Sequence, residues 1–121
     1  RQYVKENGLE DKVIFLGKRN DVSCLLQAID VFALPSRFEG LPIAAIEAQA
    51  AGVKCICSDA ITNEVVVTKN IKLLPLDEKL WIDEILECAT KYERKNMTEE
   101  LTNAGYNQEK QIRFLEKCYC E

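Results

Sequence analysis

The chain of 121 residues is long enough for one compact domain with a buried core and too short for two. Apolar residues make up 47% of it and charged residues 30%, a balance that excludes a disordered or fibrous chain. The net charge of −4, with no basic run longer than Gly17-Lys18-Arg19, gives no electrostatic reason to expect nucleic acid or an anionic membrane as partner, and no apolar stretch approaches the about 20 residues of a membrane-spanning helix.

The first run, Arg1 to Gly8, reads as the end of a helix, and a start at Arg1 rather than Met is expected of a piece cut from a longer protein. Lys12-Val13-Ile14-Phe15-Leu16 is a continuous apolar run closed by Gly17, the pattern of a strand buried on both faces. Asn20-Asp21 offers an N-cap, and Val22, Leu25, Leu26 and Ile29 follow at helical spacing. Val31-Phe32-Ala33-Leu34 is a second buried-strand run, ended by Pro35, which cannot donate to a ladder. After a loop over residues 35–41, Pro42 sits in a first helical turn. The alanine-rich residues 43–51 continue that helix until Gly52 caps it.

Val53-Lys54-Cys55-Ile56-Cys57-Ser58 reads as a third strand, residues 61–67 as a loop into a short helical turn, and Ile71-Lys72-Leu73-Leu74-Pro75 as a fourth strand. Over residues 80–92, Leu80, Trp81, Ile82, Ile85, Leu86, Ala89 and Tyr92 recur at three and four, an amphipathic helix. A charged surface connection and two further helices, residues 97–104 and 107–118, complete the chain. Alternating strands and helices with short links predict an α/β fold: a parallel sheet with helices on both faces, in one unit over residues 1–121. Ligands of such sheets bind beyond the carboxyl ends of the strands, here the loops 17–21, 35–41 and 58–64.

Six cysteines, Cys24, Cys55, Cys57, Cys88, Cys118 and Cys120, stand in a chain without histidine, so no mixed zinc site is spelled out. Cys55 and Cys57 share a strand face roughly 6.6 Å apart, near the upper limit for a disulfide. Buried free thiols acting as small hydrophobes are expected, and they fit a reducing cytoplasm.

The chemistry is concentrated in Ser36-Arg37-Phe38-Glu39-Gly40-Leu41-Pro42 and the helix after it. Gly40 lets a ligand approach the backbone, and the free amides and positive end of the helix make a seat for phosphate. Glu39 stands before that seat, while Glu47 lies about 7.5 Å along the helix. Taken singly, Glu39 is a solvated loop acid or a cap and Glu47 an ordinary helix-face residue. Separated by seven residues, they bracket the seat as a diphosphate with a sugar at one end and a ribose at the other requires, each carboxylate accepting from hydroxyls on its own side. Arg37 reads as a surface residue.

Phe15-Leu16-Gly17, Asp21-Val22, Leu25-Leu26, Asp30-Val31-Phe32, Pro35-Ser36, Glu39-Gly40-Leu41-Pro42 and Glu47-Ala48-Gln49-Ala50-Ala51-Gly52, in that order, resemble the C-terminal domain of retaining glycosyltransferases with two Rossmann-like domains, the GT-B architecture. The nearest likeness is to bacterial transferases of exopolysaccharide and capsular polysaccharide synthesis, and it runs from about Val13 to Leu76. The resemblance implies that Glu39 is the first glutamate of a Glu-x7-Glu signature, near the donor sugar and catalytic. Glu47 is then the second, on the nucleotide ribose. Gly40 and Leu41 present amides to the donor, and Gly17, Lys18 and Arg19 form the loop near the base. The loop around Thr62-Asn63-Glu64 matches loosely and is assigned no binding role.

The same resemblance implies a nucleotide-diphosphate sugar as donor substrate, a glycan or lipid-linked acceptor, and an N-terminal domain that supplies the acceptor site. The parent is expected in the cytoplasm, at the cytoplasmic face of the membrane. No cofactor is expected, and no metal, since the chain has no Asp-x-Asp pattern; amides and positive groups would meet the leaving diphosphate. These residues alone are expected not to catalyse transfer, and a bare sheet edge is expected to pair with a second copy or to be covered by solvent-blunting residues. Two alternatives stay open: a nucleotide-sugar epimerase or phosphorylase of the same architecture, and a non-catalytic nucleotide-binding module.

Overall fold

Strands form where apolar runs can pair along their whole length, and three runs do. In the computed structural model, which describes residues 1–107, 109 and 112, Val31–Leu34 (β1), Lys54–Ser58 (β2) and Ile71–Leu74 (β3) make one parallel sheet in the order β1-β2-β3. The register sets Phe32 beside Cys55 and Cys57 beside Leu73. Helices Gln2–Glu6 (α1), Val22–Ala28 (α2), Ile43–Ala50 (α3), Glu78–Lys91 (α4) and Thr98–Asn103 (α5), with a 3-10 turn at Asn63–Val65, complete the described elements. The fold is α/β, with α3 on one face of the sheet and α4 on the other.

Side-chain size explains how closely α3 lies on the sheet. Its Ala45 and Ala48 are fully buried against Cys57 and Cys55, so small side chains meet small side chains. The alternate residue of β2, Ile56, turns to the other face and is covered by Trp81 and Cys88 of α4. Its complete burial is worth about 1.5–3 kcal/mol. Asp77 caps α4 by accepting from Leu80 N at 3.0 Å, and Trp81 Nε1 donates to Pro75 O at 2.8 Å, which fixes the entry of that helix. Gly52 follows α3 at φ 72°, the left-handed conformation that ends a helix.

Several expectations need correction. The run Lys12-Val13-Ile14-Phe15-Leu16 is not a strand. Lys12 N and Val13 N donate to Leu9 O in the turn after α1, residues 14–16 join no ladder among the described residues, and Ile14 is 79% exposed. Without a neighbouring ladder an apolar run has no reason to be a strand. Pro42 is the residue before the first turn of α3, not a member of it. Along α4 the buried stripe is Trp81 and Cys88, flanked by half-buried Ile85 and Tyr92, while Leu80, Ile82 and Leu86 are exposed. Cys55, Cys57 and Cys88 are buried free thiols as expected, but Cys24 is exposed, because α2 buries only Leu26. The helix expected over residues 107–118 and the thiols of Cys118 and Cys120 lie outside the described residues, Asn107 and two isolated positions apart. Among the described residues no helix is long and apolar enough to cross a membrane.

Candidate functional site

Glu47 is the fifth residue of α3, exposed, between the buried Ile46 and Ala48. Its side chain lines a groove of about 340 Å³ between α2 and α3, walled by Val22, Ser23, Leu26 and Gln27 on one side and by Glu47, Ala50 and Ala51 on the other. The lining joins apolar Val22, Leu26, Ala50 and Ala51 to uncharged polar Ser23 and Gln27, and among the described residues Glu47 is its one ionisable group. A second hollow of about 340 Å³, among Lys69, Asn70, Lys91, Tyr92, Glu93, Lys95 and Met97, contains none of the residues singled out from the sequence.

Glu39 lies elsewhere. It is exposed in the loop between β1 and α3, outside the lining of the groove, and its carboxylate charge reaches Cys57 near the carboxyl end of β2. Burial first, and that charge second, push the Cys57 thiol up to about 11. Cys55, deeper in the same strand, is pushed up by burial to about 12. Both thiols stay protonated at neutral pH and are poor nucleophiles.

Gly40 is exposed, with open space where a Cβ would stand, and Leu41 is half-buried against the core under α3. No side chain caps the start of α3; Ala45 N and Ile46 N bond back to Pro42 O, at 3.0 and 3.4 Å. The amides before them have no partner within the helix, and the helix dipole favours an anion at that end. Gly17 is exposed at φ 65°, and Lys18 is exposed beside it. Arg19 is held by Asp21, Nε donating to Oδ1 at 2.7 Å. That bond raises the Arg19 pKa and lowers that of Asp21, and it occupies the carboxylate that would otherwise cap α2. The expected N-cap therefore sits at the right residue without its side-chain bond.

The structure thus places Glu47 in the groove, and Glu39, Gly40 and Leu41 in the loop at the carboxyl end of β1. It gathers Gly17, Lys18 and Arg19 just before α2. Among the described residues no group of three or more His, Cys, Asp and Glu side chains is arranged to hold a metal ion.

Two residues that anchor this region carried no assignment from the sequence. Gln49, fully buried, donates from Nε2 to Ala45 O at 3.1 Å and Val65 O at 2.8 Å. Its Oε1 accepts from Val67 N at 3.2 Å, and from Thr68 N and Thr68 Oγ1 at 3.0 Å each. It ties α3 to the chain leading from β2 into β3. A lone amide on the buried face of an alanine-rich helix was the available signal. Arg94, in the connection after α4, bonds to backbone carbonyls of both α2 and α3, and nothing in its charged neighbourhood marks it out.

The sequence matches the family Glycosyl transferases group 1 over residues 1–91, a span that includes both glutamates and both helices of the groove. The chain belongs to that family. EpsF of Bacillus subtilis (strain 168) is 34% identical over 124 residues, covering 95% of this chain and 31% of that protein. UDP-Gal:alpha-D-GlcNAc-diphosphoundecaprenol alpha-1,3-galactosyltransferase of Escherichia coli is 31% identical over 130 residues, covering 98% of this chain and 32% of the relative. The Vi polysaccharide biosynthesis protein VipC/TviE of Salmonella typhi is 32% identical over 110 residues, 91% of this chain and 18% of its own length. The chain spans about a third of the length of the first two relatives. No solved structure matches it. The family match reaches beyond the residues that carried the resemblance, through α4, whose Trp81 and Cys88 cover the second face of the sheet.

Proposed function

We propose that these residues form the donor-binding part of a retaining, metal-independent glycosyltransferase of the Glu-x7-Glu group. The parent enzyme transfers a sugar from a nucleotide-diphosphate sugar to a glycan or lipid-linked acceptor in polysaccharide biosynthesis, at the cytoplasmic face of the membrane. Residues 1–121 are part of its C-terminal, Rossmann-like domain and do not catalyse transfer without the acceptor-binding domain.

One observation carries the reading. Glu47, inside the matched family span, stands on a helix locked to the sheet and lines the groove as its one ionisable residue among those described. A carboxylate so placed accepts two hydroxyl hydrogens at once, as the vicinal hydroxyls of a ribose offer them. The diphosphate then runs toward the uncapped start of α3, where the Gly40 and Leu41 amides and the helix dipole meet its charge. Glu39, in the loop before that start, faces the sugar and stabilises the positive charge that develops there as the glycosidic bond to phosphate breaks. Gly17, Lys18 and Arg19 stand before α2, where the base would lie. The E. coli relative, by its name, uses UDP-Gal and a diphosphoundecaprenol acceptor, and that chemistry is the type proposed for the parent.

Calorimetry on the full-length enzyme with uridine, guanosine and adenosine diphosphates tests the reading. One of the three binds, and Glu47→Ala weakens that binding by about 1–3 kcal/mol, the loss expected for a charge-assisted hydrogen bond. A well-folded enzyme that binds none of them overturns it.

A further inference from the structure

We propose that Arg94 is a positioning residue for nucleotide binding: it joins the carboxyl ends of α2 and α3 and so sets the width of the groove in which Glu47 stands. The proposal rests on the donor-binding reading above.

Every contact of the guanidinium points the same way. Nη1 donates to Leu26 O at 3.0 Å, to Gln27 Oε1 at 3.1 Å and to Ala51 O at 3.2 Å, and Nη2 donates to Ile29 O at 2.6 Å. Ile29 and Ala51 are the residues that close α2 and α3, so one cation meets carbonyls at the ends of two helices, where each helix presents its negative pole. Leu26, Gln27 and Ala51 also line the groove, which makes the guanidinium a bridge across one end of it.

Beside this bridge, the spacing is set by Leu26, which packs with Ala48 of α3 in one core cluster, with Ile29 and Ala51 against it. Helix α2 buries a single residue, Leu26, and its Val22, Ser23 and Gln27 face α3 only across the groove. Glu47 lies one turn before Ala51, whose amide bonds to Glu47 O at 3.0 Å, so displacement at the anchored end carries to the carboxylate. The anchor itself is firm. Tyr92 OH donates to Gly52 O at 2.9 Å, a Cβ on Gly52 would meet Lys95 O at 2.3 Å, and Met97 at the end of the same segment is buried in the main core cluster. The charged connection, exposed over residues 93–96 as expected, also serves as a strap over two helix ends. The planar guanidinium suits the task because it directs several N–H groups in fixed directions; an ammonium presents one point charge.

The test uses the full-length enzyme with Arg94→Gln, Arg94→Lys and Glu47→Ala, alone and combined. Three quantities are read: affinity for whichever of uridine, guanosine and adenosine diphosphate the wild type binds, the donor KM against kcat, and the melting temperature. Arg94→Gln is expected to weaken nucleotide binding roughly tenfold and to raise donor KM in parallel, with kcat at saturation changed by less than about twofold. Arg94→Lys falls between it and wild type. In the Glu47→Ala background the added loss from Arg94→Gln shrinks to less than about twofold, since there is no carboxylate left to position. A lower melting temperature with unchanged affinity makes Arg94 a stability residue and overturns the proposal, while the donor-binding reading stands. Additive losses in the double variant overturn it as well. If Arg94→Gln does not fold, Arg94→Lys decides, with wild-type affinity as the refuting result. A wild type that binds none of the three nucleotides removes the donor-binding reading and this proposal together.

Discussion

Replacing Gln49 by leucine keeps nearly the same volume and removes every polar contact of a fully buried side chain. The cost follows from which partners have another bond. Ala45 O keeps its partner within α3, and Val67 N keeps Val65 O at 3.0 Å. The Thr68 hydroxyl can turn its one hydrogen wholly to Asn70 Oδ1, which already lies against it. Thr68 N is left with no replacement, in a residue only 5% exposed. One orphaned amide costs about 1–3 kcal/mol, and the weakened sharing at Val65 and Val67 brings the total to about 2–4 kcal/mol. Urea unfolding followed through Trp81, the one tryptophan of the chain, should show a lower midpoint at unchanged slope. Gln49→Glu should be worse at neutral than at acid pH, because its charged form would face the carbonyls of Ala45 and Val65. Gln49→Leu within about 0.5 kcal/mol of wild type would refute the view that this amide holds α3 to the chain entering β3.

Gly52→Ala meets both a backbone oxygen at 2.3 Å and a φ of 72°, so it should destabilise by about 2–4 kcal/mol; an unchanged melting curve would contradict the contact with the 92–97 strap. Alkaline stability provides a second check. The buried thiols of Cys55 and Cys57 are held at about 12 and about 11, above the ordinary 9.0, so the unfolded chain loses its protons first. Their contribution to stability is complete below about pH 9 and is lost as pH rises through 11 to 12. Cys55→Ala/Cys57→Ala should flatten that decline in a pH series of unfolding curves, and an equally steep decline in the variant would disprove the assignment.

The alternation of apolar runs and helical periods, with proline or glycine closing Val31–Leu34 and Ile43–Ala50, was enough to read an α/β fold and three of its strands. The order of residues from Phe15 to Gly52 was enough to read the family, because spacing along a chain is a property of sequence alone. Residues 12–16 show where that ends: a run can have every apolar feature of a strand, but the ladder that would make it one must come from another segment. Likewise, the α4 pattern admitted several stripes, and the sheet selected the one containing Trp81 and Cys88. For the site, the two glutamates could be named from their spacing, yet only packing decided that Glu47 enters a groove against α2 while Glu39 remains in the loop near Cys57. Arg94 reaches Leu26 and Ala51 across 68 and 43 residues, and Gln49 reaches Thr68 across 19. Local periodicity cannot encode such bonds. They exist because the folded chain brings distant backbone carbonyls and amides, which every residue carries, within reach of one particular side chain.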